Sequence, residues 1–254
     1  MTDAGRLHTL APSLGLERLP DALAGVTIVL PCFNEEANIA DAIRYATAAA
    51  ERCATGHEIV VVDDGSSDET ASVAARLAER DRRVRVVVHT RNRGYGDAVR
   101  SGIAAARMPW ILLTDSDLQF DLSELEDFLP AARDADIVVG WRILRWDPLN
   151  RRLNVAAWNW LVRRMFRLPV KDVDCAFKLV RRELLQSFAL ESTGAMISTE
   201  LVVKCLARGA RLEELGVHHR PRVAGDQSGA DLRVIARAFF ELARLRRSLH
   251  AARL

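Results

Sequence analysis

The sequence predicts an α/β fold: a Rossmann-like, mostly parallel sheet flanked by helices. Three observations carry this. Short continuous runs rich in Val and Ile alternate with segments of helical period. The runs are too continuous for one-sided strands and suit strands covered on both faces. The unusual polar clusters all fall at the carboxyl ends of those runs, where open α/β sheets bind ligands.

The strands are expected at Val26–Leu30, Glu58–Val62, Val84–Val88, Ile111–Leu113 and Ile137–Val139. Between them the spacing predicts helices over Glu36–Arg52, Asp68–Arg80, Ala98–Arg107 and Glu124–Arg133. Ser66 with Glu69, and Ser123 with Glu126, have capping-box spacing at two of the starts. Later come a helix over Arg151–Leu168, a short strand over Ala176–Val180, a helix over Thr199–Arg208 and a strand over Leu212–His218. A basic amphipathic helix over Asp231–Leu249 closes the chain. Residues 1–24 have scattered Gly and Pro, no clear period, and read as a poorly ordered leader.

The net charge of +2 is small but unevenly placed. Arg142, Arg145, Arg151, Arg152, Arg163, Arg164, Arg167 and Lys171 face Asp147 alone between Trp141 and Lys171, which points to a local anionic partner. The cluster lies on an aromatic-rich helix beside a polar rim, which disfavours nucleic acid as that partner. Cys32, Cys53, Cys175 and Cys205 show neither a CxxC pair nor zinc-ligand spacing, as in a reduced compartment. No apolar run reaches the ~20 residues needed to span a bilayer.

The rim itself is specific. Asp115-Ser116-Asp117 ends an apolar run abruptly, and two carboxylates two residues apart in an extended segment share a side. Such a pair is a hard oxygen site for a divalent cation carrying phosphates. An ordinary solvated turn is the plainer reading of the tripeptide, and its neighbours argue against it. Pro31-Cys32-Phe33-Asn34-Glu35, Asp63-Asp64-Gly65-Ser66, Asn92-Arg93-Gly94-Tyr95-Gly96 and Arg142 all follow strands.

The motifs IVLPCFNEEANI, EIVVVDDGSSDET, NRGYGDAVRSGI, LLTDSDLQ and VVGWR resemble the family 2 glycosyltransferases. LPVKDVDCAFKLVRREL, ISTELVVKCLARGARLEEL and HHRPRVAGDQSG extend the likeness to the polyprenyl-phosphate sugar synthases, of the dolichyl-phosphate mannose synthase kind, over roughly residues 25–230. The resemblance implies a GT-A fold with a C-terminal acceptor region and a nucleoside-diphosphate sugar donor. Residues 25–140 would form the nucleotide-sugar half, 141–230 the acceptor half of the same domain, and 231–254 the terminal helix.

Carried over position by position, Pro31, Phe33, Asn34 and Glu35 would line the nucleoside pocket, with Phe33 standing where Tyr is common. Val62 and Asp64 would hold the base. Asp115, Ser116, Asp117 and Gln119 would bind the donor diphosphate, with Asp115, Asp117 and Gln119 on Mg²⁺ or Mn²⁺. Arg142 would lie near the reacting phosphates and, with Asp117, act in catalysis. Arg142, Arg151, Arg152 and Ser228 would receive the acceptor, and Arg222 would close over the donor. Asp172 matches the Asp before the family's Ser-Gly-Phe, here Cys175-Ala176-Phe177. The implied acceptor is a polyprenyl phosphate, met at an anionic membrane surface on the cytoplasmic face. Inversion without a side-chain base follows, because a phosphomonoester is already anionic. A hydroxyl acceptor would instead need a base, with Glu200 the first candidate. A non-catalytic nucleotide-binding protein is a third possibility, disfavoured by the retained Asp115 and Asp117.

Overall fold

The computed structural model describes residues 19, 21–143, 149–221 and 240–247, with backbone alone for 149–156. Seven strands form one sheet: β1 Val26–Cys32, β2 His57–Asp63, β3 Val84–Val88, β4 Trp110–Leu113, β5 Ile137–Arg142, β6 Lys178–Arg181 and β7 Leu212–Val217. Their order is β3-β2-β1-β4-β6-β5-β7. All neighbours are parallel except β6, which runs antiparallel to both β4 and β5. The chain winds outward from β1 through β2 to β3, then returns to place β4 on the other side of β1. That reversal opens a crevice beyond the carboxyl ends of β1 and β4.

Both faces of the sheet are covered, which explains the continuous apolar runs. Val26, Ile28, Leu30, Ile59, Val61 and Leu112 enter one core. Val29, Val60, Val62, Ile111 and Leu113 enter the other. The alternation is the two-residue period of a strand. The helices are α1 Ile39–Cys53, α2 Thr70–Arg80, α3 Tyr95–Ala105, α4 Leu125–Ala132, α5 Leu149–Phe166, α6 Arg182–Gln186 and α7 Met196–Ala207. In α1 the buried set Ile39, Ala42, Ile43, Ala46, Ala49, Ala50 and Cys53 follows the helical period.

Several boundaries differ from expectation for identifiable reasons. The capping boxes do not form. Ser66 donates to Asp63 instead, and Asp68 accepts from the Thr70 backbone N–H (3.0 Å) to open α2. Asp121 caps a short 3₁₀ turn, Leu122–Glu124, before α4, while Glu126 pairs with Arg52. The strand expected at Ala176–Val180 begins two residues later, at Lys178. The end of the supposed leader is packed: Leu23 is buried and bridges to Ala54. Of the expected terminal helix, 240–247 are described and helical, with Leu242 and Leu245 buried in the second core. All four cysteines are free and buried. Among the described residues, no helix is long and apolar enough to cross a membrane.

Candidate active site

The first two rim loops are stapled to each other. Asn34 adopts φ +54°, which Asn tolerates better than most residues, and its Oδ1 accepts the Ser67 N–H (2.8 Å). Its own N–H donates to Ser66 Oγ (2.9 Å), and the Glu35 N–H donates to Thr70 Oγ1 (2.8 Å). Asn38 donates to the buried Glu35 carboxylate (2.7 Å). Asn34 and Glu35 therefore spend polar groups on shaping the loop. Phe33 projects outward, 44% exposed, an aromatic face open for stacking on a base. The Val62 side chain, at 0% exposure, belongs to the core beneath the pocket, which leaves its main chain as the part able to face a base.

Asp64 follows directly on β2 at the carboxyl edge of the sheet and is buried. Its Oδ1 accepts from His89 Nδ1 (2.6 Å) and the Arg93 N–H (2.9 Å), and its Oδ2 from the Gly94 N–H (2.7 Å). His89 was not singled out in the sequence; a polar residue ending a Val-rich strand opposite two aspartates was the available signal.

Beyond β4 the chain turns rather than continuing extended, with Leu118 at φ +62°. Asp115 and Asp117 thus share a turn, not a strand face. Tyr95 donates its hydroxyl to Asp115 Oδ1 (3.1 Å). Burial, then the Asp115 charge, push the phenol well above its ordinary pKa, so it remains a donor. Ser116 is buried and donates to the Pro31 carbonyl (2.9 Å), tying the turn to the first loop. Asp117 accepts the Gln119 N–H (3.2 Å). The Gln119 amide nitrogen donates to the Arg220 carbonyl (2.9 Å), leaving its oxygen as the only atom of that group suited to a cation. Among the described residues no three His, Cys, Asp or Glu side chains gather as a complete metal cage.

Arg142, at the end of β5, forms a two-pronged ion pair with Asp172: Nε to Oδ2 at 2.7 Å and Nη2 to Oδ1 at 2.9 Å. Two guanidinium N–H groups are spent there and the others remain for a phosphate. Two further residues stand behind this pair. Burial, then the Asp172 charge, raise the Asp174 carboxyl. Burial lowers the Lys178 ammonium, which is 1% exposed and donates to the Cys175 carbonyl. A lysine inside the apolar run Ala-Phe-Lys-Leu-Val was the sequence signal for this buried charge.

The third rim loop is set by close backbone packing. Gly94 has φ +99°, and a Cβ there would meet the Thr193 carbonyl oxygen at 2.6 Å; a Cβ on Gly96 would lie 2.3 Å from the Ser192 carbonyl oxygen. The 191–193 segment is in turn held by Glu200, whose carboxylate accepts the Glu191 and Ser192 N–H groups and the Lys204 ammonium (2.6 Å). Thr193 also donates to Glu241, in the helical residues 240–247.

Glu200 is 2% exposed. Burial would raise its pKa, but Lys204 and the backbone donors hold it below the ordinary glutamate value of 4.5. Its contribution to stability is thus fully present above that value and lost as pH falls through the lower folded pKa. Glu200→Gln should cost about 3 kcal/mol at pH 7, since it leaves Lys204 and backbone donors without their carboxylate. The melting temperature, followed from pH 7 to pH 3, should start lower in the variant and fall less steeply on acidification.

His218 pairs with Glu124, and the His219 ring packs edge-on against Phe120 (4.9 Å), so both histidines hold the end of β7 in place. Arg151 and Arg152 lie on α5, with backbone alone described; Arg222, Gly225 and Ser228 lie outside the described residues.

A mixed sheet with an antiparallel strand between β4 and β5, and an Asp-Ser-Asp turn at the crevice, is the architecture of GT-A glycosyltransferases. Glucosyl-3-phosphoglycerate synthase from Mycobacterium tuberculosis superposes with a TM-score of 0.67 at 20% identity, over 87% of this chain and 80% of that one. The same enzyme solved with Mn²⁺ and UDP-glucose gives 0.67 at 19% identity, over 87% and 78%. The chain belongs to glycosyl transferase family 2, whose model matches residues 27–188, and is a glycosyltransferase. A glycosyltransferase of M. tuberculosis H37Rv with uncharacterised activity is 35% identical over 205 residues, 79% of this chain and 87% of that protein. The undecaprenyl-phosphate 4-deoxy-4-formamido-L-arabinose transferase of Shewanella sediminis is 30% identical over 79% of this chain and 60% of its own length.

Proposed function

We propose that the protein transfers a hexosyl group, with inversion, from a nucleoside-diphosphate sugar to a polyprenyl monophosphate at the cytoplasmic face of a membrane. The observation that carries the choice of acceptor is the state of Glu200. A hydroxyl acceptor needs a general base, and the first candidate is buried and committed to Lys204 and two backbone N–H groups. A phosphate acceptor needs none. The undecaprenyl-phosphate transferase relative supports the same choice.

The donor set at the Asp-Ser-Asp turn fits Mg²⁺ or Mn²⁺, which bind through one or two carboxylates and complete their shell with substrate phosphates and water. Asp115, Asp117 and the Gln119 oxygen would hold the ion. When bound, the ion offsets charge on the departing diphosphate. The protein supplies the rest. Phe33 stacks on the base, and Asp64 accepts a base N–H. Tyr95 orients Asp115. Arg142, fixed by Asp172, offsets the repulsion between the incoming phosphate and the diphosphate. Arg222 and Ser228 are assigned to closure and acceptor contact, Arg151 and Arg152 to the entry of the lipid phosphate. For membrane contact, Trp160 is 66% exposed on α5, beside exposed Arg163 and Arg164. Indole and guanidinium groups suit the interface of an anionic bilayer. Trp158, by contrast, packs against the second core and is withdrawn from that face.

The test is transfer of labelled sugar from UDP- and GDP-linked donors with Mg²⁺ or Mn²⁺. A short polyprenyl phosphate in anionic vesicles competes with phosphoglycerate and a free saccharide. Label should enter the lipid with the opposite anomeric configuration, read by NMR, and EDTA should stop it. Label confined to a water-soluble acceptor would refute the lipid assignment.

A further inference from the structure

We propose that His89 is the positioning residue that sets base selectivity at Asp64, and that it fits the site to uracil rather than guanine. The inference rests on the reading of Asp64 as the acceptor for the donor's base and deepens it.

A carboxylate offers about four in-plane acceptor positions, two on each oxygen. On Asp64 three are taken. His89 Nδ1 (2.6 Å) and the Arg93 N–H (2.9 Å) fill Oδ1; the Gly94 N–H (2.7 Å) takes one position on Oδ2. One remains, on Oδ2. The pair is rigid. Asp64 and His89 are both buried, the His89 N–H donates to the Asp63 carbonyl (2.9 Å), and His89 Nε2 meets Ser101 Oγ on α3 (2.9 Å). Nδ1 faces a carboxylate and donates to it, whichever role Ser101 takes at Nε2. The two loop N–H groups come from backbone that Gly94 and Gly96 pin against residues 192–193, so they do not yield to a ligand either.

One open position suits a base with a single ring N–H between carbonyls, which is uracil. Guanine presents two adjacent donors, N1–H and N2–H₂, and both oxygens would have to face them. Cytosine and adenine place an acceptor nitrogen there, against a lone pair. His89 therefore acts through Asp64 and does not touch the nucleotide: it fills the Oδ1 position that guanine would need.

Calorimetric Kd values for UDP, GDP and CDP, measured on the full chain with Mn²⁺, test this. Wild type should bind UDP roughly tenfold or more tighter than GDP or CDP, since mismatched buried polar groups are costly. His89→Leu should bring the GDP-to-UDP ratio close to one. His89→Asn, whose amide nitrogen stands near the place of Nδ1, should retain the wild-type ratio. A purely structural role would weaken all three nucleotides together and leave the ratios fixed, so an unchanged ratio in His89→Leu overturns the proposal. Should His89→Leu fail to fold, as seen by circular dichroism, the wild-type and His89→Asn ratios decide: tighter GDP than UDP in wild type, or loss of UDP preference in His89→Asn, overturns it. Absence of nucleoside-diphosphate binding by wild type would overturn the donor reading beneath it, an outcome distinct from binding with the wrong selectivity.

Discussion

Asp117→Ala should lower sugar transfer by at least about 10³-fold while leaving the melting temperature within a few degrees of wild type. The proposed departing group is a nucleoside diphosphate, and a cation held by the carboxylates of the turn would offset its developing charge. Asp117 lies at the mouth of the turn, where Gln119 folds back on it (3.2 Å). On the proposed reading its removal takes away a cation ligand, while none of the apolar core residues is altered. The check is a transfer assay across a Mn²⁺ titration, with calorimetric nucleotide binding in parallel. Binding of UDP should weaken and lose its metal dependence together. Full transfer by this variant in EDTA would exclude the proposed role of the turn.

Arg142→Ala carries the second large effect, and it has two parts that can be separated. The guanidinium is the partner of Asp172 in a largely buried two-pronged pair. Its removal breaks that two-pronged pair beside Asp174, at a cost of about 3 kcal/mol. Transfer should also fall by roughly 10²–10³-fold if the remaining N–H groups hold the acceptor phosphate. The double variant Arg142→Ala/Asp172→Ala removes both halves of the pair and should recover part of the stability but none of the transfer. Recovery of transfer in the double variant would reduce Arg142 to a partner of Asp172. Denaturant midpoints and initial rates, taken on the same preparations, distinguish the two results.

The sequence by itself determined the strand-and-helix alternation, because strands buried on both faces are largely apolar, and the runs Val26–Leu30 and Glu58–Val62 lie within the observed strands Val26–Cys32 and His57–Asp63. It also determined which loops form the rim, since turn formers and charges at the ends of such strands have nowhere to go but the crevice. Tertiary structure decided everything that depends on a partner distant in the chain. The place of β6 between β4 and β5 follows from pairing across more than sixty residues, which no local period encodes. Gly94 and Gly96 look like turn residues; their need for glycine comes from Ser192 and Thr193. Glu200 has the sequence context of a reactive carboxylate, yet three donors, the Glu191 and Ser192 N–H groups and the Lys204 ammonium, occupy it in the fold. Val62, one residue from the rim, falls on the inward side of a strand whose register only the whole sheet fixes. His89 becomes meaningful only when Asp64, twenty-five residues earlier, is brought to 2.6 Å. Burial and hydrogen-bond occupancy are properties of the assembled neighbourhood, and they turn a list of candidate residues into assigned roles.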